Sequence, residues 1–374
     1  MGRATVFDLV RSGHPVLLLE SDRTAARRIA RRYGGSNTVV AEADARDPEA
    51  LATQLSGCTA VVNCAPYVWN LAVMEGALRA RCHYLDLGGL FHTTRMQLLH
   101  HDDFRRADLL AVLGMGSAPG IVNVLARAAA DPLRRVRSIR IYNGSLDFTH
   151  YEAPLAFGFS PATVLDEFTL APMVFEKGRF RARVPLSGGE DFLFEVGLQR
   201  AHLSLHSEVA TLPLSYRAKG IRDCSFKIAY DPALVARLKL LIDLGLTDRT
   251  LGPRGIAPRD VLLDAFRRLP SPPDFIDDRD CLAVVVDGED REGPVTVRYD
   301  LTAGPQRRPP LSAVARDTGF PPAIVARMIL DGRIRERGVL PPERCVPVAP
   351  FLAELAPRGL RARVTVSRPV KPTA

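Results

Sequence analysis

Gly2-Arg3-Ala4-Thr5-Val6-Phe7-Asp8-Leu9-Val10-Arg11-Ser12-Gly13, then Pro15-Val16-Leu17-Leu18-Leu19-Glu20 and Asp22, is the stretch that decides the fold. Val6, Leu9 and Val10 repeat at helical spacing with Phe7 alongside, and Gly13 is a stop signal. The unbroken apolar run from Val16 to Leu19 predicts a strand buried on both faces of a parallel sheet. In a dinucleotide-binding βαβ unit the helix opens at the third glycine of G-x-G-x-x-G, and an acid about 20 residues on binds the adenosine ribose. Gly2 and Asp22 have that spacing, but the first strand and the first two glycines do not stand before them. An ordinary helix–strand pair with a chance acid explains these residues equally well when they are taken alone. The expectation is a Rossmann-type unit lacking its first strand, with translation starting roughly 10 to 15 residues upstream.

The next ninety or so residues favour the dinucleotide-binding unit. Helical and strand patterns alternate from Thr24 to Leu113, with strands expected over 38–42, 59–63, 83–87 and 109–113. Such alternation predicts an α/β parallel sheet with helices on both faces and ligands beyond the carboxyl ends of the strands. After Arg135 strands are expected at 136–143, 181–185, 202–205, 224–230, 281–287 and 293–299, and helices at 160–168, 232–244 and 258–269. That pattern predicts a second, α+β domain. A further helix is expected over 322–330, proline-rich loop over 338–350, and a last helix over 351–360. The expected division is 1–120 for dinucleotide binding, 121–345 for substrate and subunit contacts, and 346–374 as a segment that returns to the first domain.

The composition narrows the class. Of 374 residues 47% are hydrophobic and 25% charged, which is globular. No apolar run approaches the ~20 residues of a membrane span, and no secretory signal opens the chain. Six cysteines are scattered without a C-x-x-C pair, so neither metal binding nor a disulfide framework is expected, and a cytoplasmic location fits. The net charge of +8 comes from an arginine excess, with only Lys177, Lys219, Lys227, Lys239 and Lys371 as lysines. The arginines are spread through helices without interleaved aromatics, so a nucleic-acid partner is not expected.

Loops at the strand ends carry the candidate cofactor residues. Asp22-Arg23, Asp44-Ala45 and Asn63-Cys64-Ala65-Pro66 follow three successive strands, and Gly2-Arg3 opens the first helix. Asp44 is placed to face an adenine amino group, with helix capping as the alternative; for Asp47 before Pro48 capping is the preferred reading. Gly114-Met115-Gly116-Ser117-Ala118-Pro119-Gly120 runs from an apolar strand into a helix. Its glycines permit a tight path that frees helix N–H groups for a polar or anionic ligand.

This turn, continued by Ile121-Val122-Asn123, resembles that of the saccharopine dehydrogenase-like reductases. Asn63-Cys64-Ala65-Pro66 and His83-Tyr84-Leu85-Asp86-Leu87 are similar to that family's N-x-x-P and Y-x-D elements. Leu205-His206-Ser207-Glu208-Val209-Ala210-Thr211-Leu212-Pro213, Thr318-Gly319-Phe320-Pro321 and Gly338-Val339-Leu340-Pro341-Pro342-Glu343 resemble the branch that contains bacterial L-lysine 6-dehydrogenases. The resemblance runs from Gly2 to about Val364. It implies a second domain with a mixed sheet, a homodimer or higher homo-oligomer, and NAD or NADP. It further implies hydride transfer at a carbon bearing nitrogen.

Such chemistry needs a neutral amine and therefore a base titrating near working pH. His206 is the candidate, with Glu208 two residues on; on a strand the two share a face and form a carboxylate–imidazole pair. Asp147, with His150, Tyr151 and Glu152, is a second polar cluster suited to an amino group. A substrate carboxylate calls for a cation, for which Arg217 and Arg222 are candidates, with Met115 beside the substrate. Asp22 favours NAD, and Arg23 suits a 2′-phosphate. Oxidative deamination of an amino-acid side-chain amine such as that of L-lysine is the leading expectation. A saccharopine- or carboxyspermidine-type reductase of a secondary amine, or an inactive homologue without cofactor, are the alternatives.

Overall fold

The computed structural model describes residues 1–252 and 255–369. The first domain runs α1 (Gly2–Arg11), β1 (Val16–Glu20), α2 (Arg23–Ile29), β2 (Thr38–Glu42), α3 (Pro48–Gln54), β3 (Ala60–Asn63), α4 (Asn70–Ala80), β4 (His83–Asp86), α5 (Leu90–Gln97), α6 (His101–Arg106) and β5 (Leu110–Val112). Helix α7 (Ile121–Ala130) leads out of it. All strand pairs here are parallel, as the alternation requires.

The parallel strands form two pieces, β2-β1 and β3-β4-β5 with one late addition. The division falls where the opening strand of a dinucleotide-binding unit stands in the order 3-2-1-4-5-6. The late addition is β16 (Gly338–Leu340), which pairs parallel with β5. The sequence predicts proline-rich loop there, but Gly338-Val339-Leu340 precedes the prolines and its backbone completes the edge of β5.

The second domain contains β6 (Arg135–Asp147), α8 (Pro161–Thr169), β7 (Met173–Glu176), β8 (Arg179–Ala182), β9 (Glu190–Phe194), β10 (Gly197–Leu203), α9 (Glu208–Ser215), β11 (Asp223–Ala229), α10 (Pro232–Asp243), α11 (Pro258–Arg267), β12 (Asp278–Glu289) and β13 (Pro294–Ala303). A short hairpin, β14 (Gln306–Arg307) and β15 (Pro310–Leu311), then leads to α12 (Ala313–Leu330); α13 (Pro342–Cys345), α14 (Val348–Leu355) and β17 (Ala362–Ser367) follow β16. Its sheet has the order β17-β13-β12-β6-β11-β10-β9 and is mixed, since β6 and β11 are parallel while the other pairs on this path are antiparallel. Strand β12 shows why Cys281-Leu282-Ala283-Val284-Val285-Val286 is continuously apolar. Leu282, Val284 and Val286 enter the main core with residues of α7 and α12. Cys281, Ala283 and Val285 pack with Tyr142 and Phe194 on the other face. Among the described residues no helix is long and apolar enough to cross a membrane.

Two contacts join the chain's beginning to its later parts. Thr5 donates to the Gly319 carbonyl at 2.9 Å, seating α1 on α12. Arg358 then grips buried Asp8 with two bonds of 2.7 and 2.9 Å. The C-terminal segment thus reaches the first domain by a side chain, while its strand β17 joins β13 of the second sheet. Helix α12 starts nine residues before the expected Pro322 start, because Ser312 and Asp278 cap it and accept from Ala315 N and Ala313 N at 3.1 and 2.6 Å. Pro321 and Pro322 are accommodated inside it.

Candidate active site between the domains

The carboxyl edge of the first sheet is organised around Asp86, the last residue of β4. Its buried carboxylate accepts from Gln97 Nε2 at 2.6 Å, Gly114 N at 2.7 Å, Gly88 N at 2.9 Å, Tyr84 Oη at 3.0 Å and Asn70 Nδ2 at 3.2 Å. Burial pushes this carboxyl up, and the hydrogen bonds from Gln97, Gly114, Tyr84 and Gly88 work against that. Asn63 belongs to the same network, donating to Asn70 Oδ1 at 2.9 Å while its Oδ1 accepts from Ala65 N at 3.0 Å. The turn from Gly114 to Gly120 is therefore fixed to β4 and β3. Gly114 and Gly120 have φ of +69° and +129°, and a Cβ on Gly120 would fall 2.1 Å from the Gly116 oxygen. Met115 is fully buried and its side chain packs in the core.

Over this edge hangs the turn between β10 and α9. Ser207 Oγ accepts from Gly89 N at 3.2 Å and from Thr94 Oγ1 at 3.1 Å, and donates to the Leu90 carbonyl. It pins His206 and Glu208 above the end of β4. His206 Nδ1 lies 2.6 Å from Glu208 Oε2, both residues are buried, and the imidazole stacks on Phe226 with ring centroids 3.8 Å apart. The expected pair thus forms, but not across a strand face: β10 ends at Leu203, and Glu208 is the first residue of α9. The intervening turn folds the carboxylate back onto the ring.

Helix α8 supplies residues that the sequence reading did not single out. Glu167 Oε1 is 4.0 Å from His206 Nε2, and its Oε2 accepts from the Tyr230 hydroxyl. Burial pushes Glu167 up to about 7, against the pull of His206 and the Tyr230 hydrogen bond. For His206 burial works downward, but Glu208 and Glu167 outweigh it and the imidazole is raised. Glu208 Oε1 is buried without a hydrogen-bond partner among the described residues. The neighbouring Asp166 accepts from Tyr67 Oη at 2.7 Å and from Arg259 Nη2 at 2.6 Å, with Arg249 on the same oxygen. Tyr67 directly follows Asn63-Cys64-Ala65-Pro66, so α8 is tied to the end of β3.

Several expected site residues stand elsewhere. Asp147 ends β6, where it accepts from Thr149 N at 2.9 Å and from the Tyr151 hydroxyl; among the described residues no hydrogen bond links it to His206 or Glu208. Arg217 and Arg222 are exposed residues ahead of β11. Phe226, under His206, is four residues further along that strand, a separation of roughly 13 Å. Two other cations, Arg249 and Arg259, bind Asp166, the residue before Glu167 on α8.

At the cofactor rim, Gly2 packs against Cys64, with 3.3 Å between its would-be Cβ and Cys64 Cβ, which sets the start of α1 at the end of β3. That helix start has no side-chain cap and no acid in its first turn, which suits a phosphate on its free N–H groups. Helices α2 and α3 are capped, by Asp22 and, as expected, by Asp47. Asp22 Oδ1 accepts from Thr24 N and Ala25 N at 2.8 and 3.0 Å, and Arg23 beside it is exposed. Asp44 is engaged by Arg46 at 2.5–2.9 Å, and that hydrogen-bonded pairing holds its carboxyl down at about 2. Arg3 and Ala45 are half-buried.

Comparison with known proteins agrees with the fold. Residues 1–112 match the model of the saccharopine dehydrogenase NADP binding domain, and residues 116–360 that of the saccharopine dehydrogenase C-terminal domain. The carboxyaminopropylagmatine dehydrogenase of Synechocystis is 25% identical over 378 residues, covering 94% of this chain and 92% of that protein. The fold is that of the apo saccharopine dehydrogenase (L-Glu forming) of Saccharomyces cerevisiae, with a TM-score of 0.74 at 16% identity over 98% of both chains. The chain belongs to the saccharopine dehydrogenase family and is an NAD(P)-dependent oxidoreductase.

Proposed function

We propose that this protein oxidises, or forms by reduction, the C–N bond of a secondary amine that carries a carboxylate. The observation that carries the reading is the buried array Tyr230–Glu167–His206–Glu208 over the carboxyl edge of the first sheet. The name of the Synechocystis relative supports a secondary amine over lysine as substrate class.

When bound, the nicotinamide accepts or supplies the hydride at the carbon attached to nitrogen. Around that event the amine nitrogen must lose or gain a proton. Glu167, raised to about 7, is poised to exchange it near neutral pH. His206, held by Glu208 and raised by both carboxylates, faces Glu167, and its protonated form favours release of the Glu167 proton. Tyr230 holds the other oxygen of Glu167 in place. In this reading Gly2, Arg3, the turn 63–66 and the turn 114–120 form the lip for the dinucleotide, with Asp22 and Arg23 at its ribose end.

The test is a turnover screen with both cofactors. Oxidation of carboxyaminopropylagmatine or saccharopine, or NAD(P)H consumption only when an amine is supplied with a carbonyl partner, is expected. NADH formed from lysine alone with release of ammonia would overturn the secondary-amine reading in favour of side-chain deamination.

A further inference from the structure

We propose that Arg249 and Arg259 form the receptor for the substrate's carboxylate, one residue along α8 from the proton-exchanging Glu167. The inference rests on the secondary-amine reading above and specifies which end of such a substrate lies where.

Two guanidinium groups converge on one carboxylate oxygen, Asp166 Oδ1. The third group on Asp166 is the Tyr67 hydroxyl, whose acidity burial and Asp166 both suppress, so it brings no compensating anion. The cluster therefore carries one surplus positive charge. Arg259 is where that surplus is least comfortable: its side chain is only 7% exposed, and its Nη1 is buried with no hydrogen-bond partner among the described residues. A buried guanidinium donor without an acceptor is costly, and a second carboxylate removes the cost.

Access is provided by Arg249. Its side chain is 57% exposed, in contrast to the 4% of Asp166, so one side of the cluster opens to solvent. Two guanidinium groups with donors to spare suit the two oxygens of a carboxylate. The position is also right. Asp166 and Glu167 are consecutive on α8, and Asp166 is close enough to act electrostatically on Glu167. In this arrangement the substrate's carboxylate meets the arginines held by Asp166 while its amine nitrogen meets Glu167. Asp166 positions both arginines through its Oδ1.

The experiment compares carboxyaminopropylagmatine and saccharopine with aminopropylagmatine, which lacks the carboxylate, by calorimetry on the holoprotein and on R249Q and R259Q variants. Wild type is expected to prefer the carboxylated amines at least about tenfold. R249Q, at an exposed position, should keep the fold and the affinity for NADP while this preference falls about tenfold. R259Q should remove it further. An unchanged preference in folded R249Q overturns the receptor while leaving the proposed reaction standing if the wild type still oxidises a carboxylated amine. A wild type that binds neither carboxylated compound overturns both.

Discussion

Tyr67 Oη donates a 2.7 Å hydrogen bond to Asp166 Oδ2 across ninety-nine positions of sequence, joining the loop after β3 to helix α8 of the other domain. Asp166 keeps its two arginines when this bond is removed, so no buried charge is stranded. Y67F is therefore expected to lower stability by only about 1 kcal/mol in urea denaturation. A loss of several kcal/mol would mean that the hydroxyl does more than bridge the domains.

The pH dependence of stability has a definite sign at Glu167. Its folded pKa of about 7 lies above the ordinary value of 4.5, so between these limits the folded state holds a proton that the unfolded chain has released. Stability from this group is complete below about pH 4.5 and is lost as pH rises to about 7, with a limiting slope of about 1.4 kcal/mol per pH unit. His206 acts in the same direction: raised above 6.5, its contribution is present below that value and disappears as pH climbs through its folded pKa. The stability difference between wild type and E167Q should therefore shrink steadily from pH 5 to 7. Thermal melts across that range that give a constant difference would contradict the assignment.

Asp86 is the residue whose loss should cost most among the first domain's polar groups. In D86N one acceptor oxygen becomes an NH2 facing groups that are themselves donors, among Gln97 Nε2, Gly114 N, Gly88 N, Tyr84 Oη and Asn70 Nδ2. Each buried donor left without a partner costs about 1–3 kcal/mol, so a total near 2–4 kcal/mol is expected with relaxation. D86E retains the charge but shifts the oxygens, and should fall between D86N and wild type in the same denaturation series.

How far the sequence could be read depends on how local each feature is. The αβ alternation, the Asp47 cap and the pairing of His206 with Glu208 rest on neighbouring residues, and each was legible. Even there, the strand-face geometry expected for the pair was wrong, because a turn does what a pleat was expected to do. Tyr67, Glu167, Tyr230, Arg249 and Arg259 meet only through tertiary packing, and no spacing rule connects them. The one local signal was Asp166-Glu167 set between Val164-Leu165 and Phe168, two acids inside the apolar stripe of a helix, where charge is rarely buried without a partner. Arg217 and Arg222 were favoured by chain position, and in an arginine-rich chain position discriminates poorly. Gly338-Val339-Leu340 was hidden by the prolines after it, although a strand of three residues needs only a partner edge.

The glycine turn offers a graded test of backbone constraint. Gly120 has φ of +129°, and its Cβ would lie within 2.1–2.7 Å of Gly116 backbone atoms, which cannot move without unseating the turn. G120A is expected to abolish accumulation of folded protein or to cost more than about 3 kcal/mol. Gly13 also has positive φ, +85°, but among the described residues nothing lies within 4 Å of its would-be Cβ. G13A should cost only about 1 kcal/mol, the strain of the left-handed conformation alone. Equal effects of the two substitutions on the denaturation midpoint would remove the steric account of the turn.

Asp22 carries two separable roles, one observed and one proposed. Its Oδ1 caps α2 through Thr24 N and Ala25 N, and its place at the end of β1 suits a ribose hydroxyl. Asparagine caps a helix about as well as aspartate, whereas alanine does not. D22N should therefore leave the melting temperature nearly unchanged, and D22A should lose about 1 kcal/mol. Both remove a negative charge that would oppose a 2′-phosphate, with Arg23 left beside it. Relative to wild type, each is expected to improve kcat/KM for NADP over NAD by roughly tenfold, equivalent to about 1.4 kcal/mol. If D22A changes stability but neither variant alters the cofactor ratio, Asp22 is a cap and nothing more, and the ribose is read elsewhere along the rim.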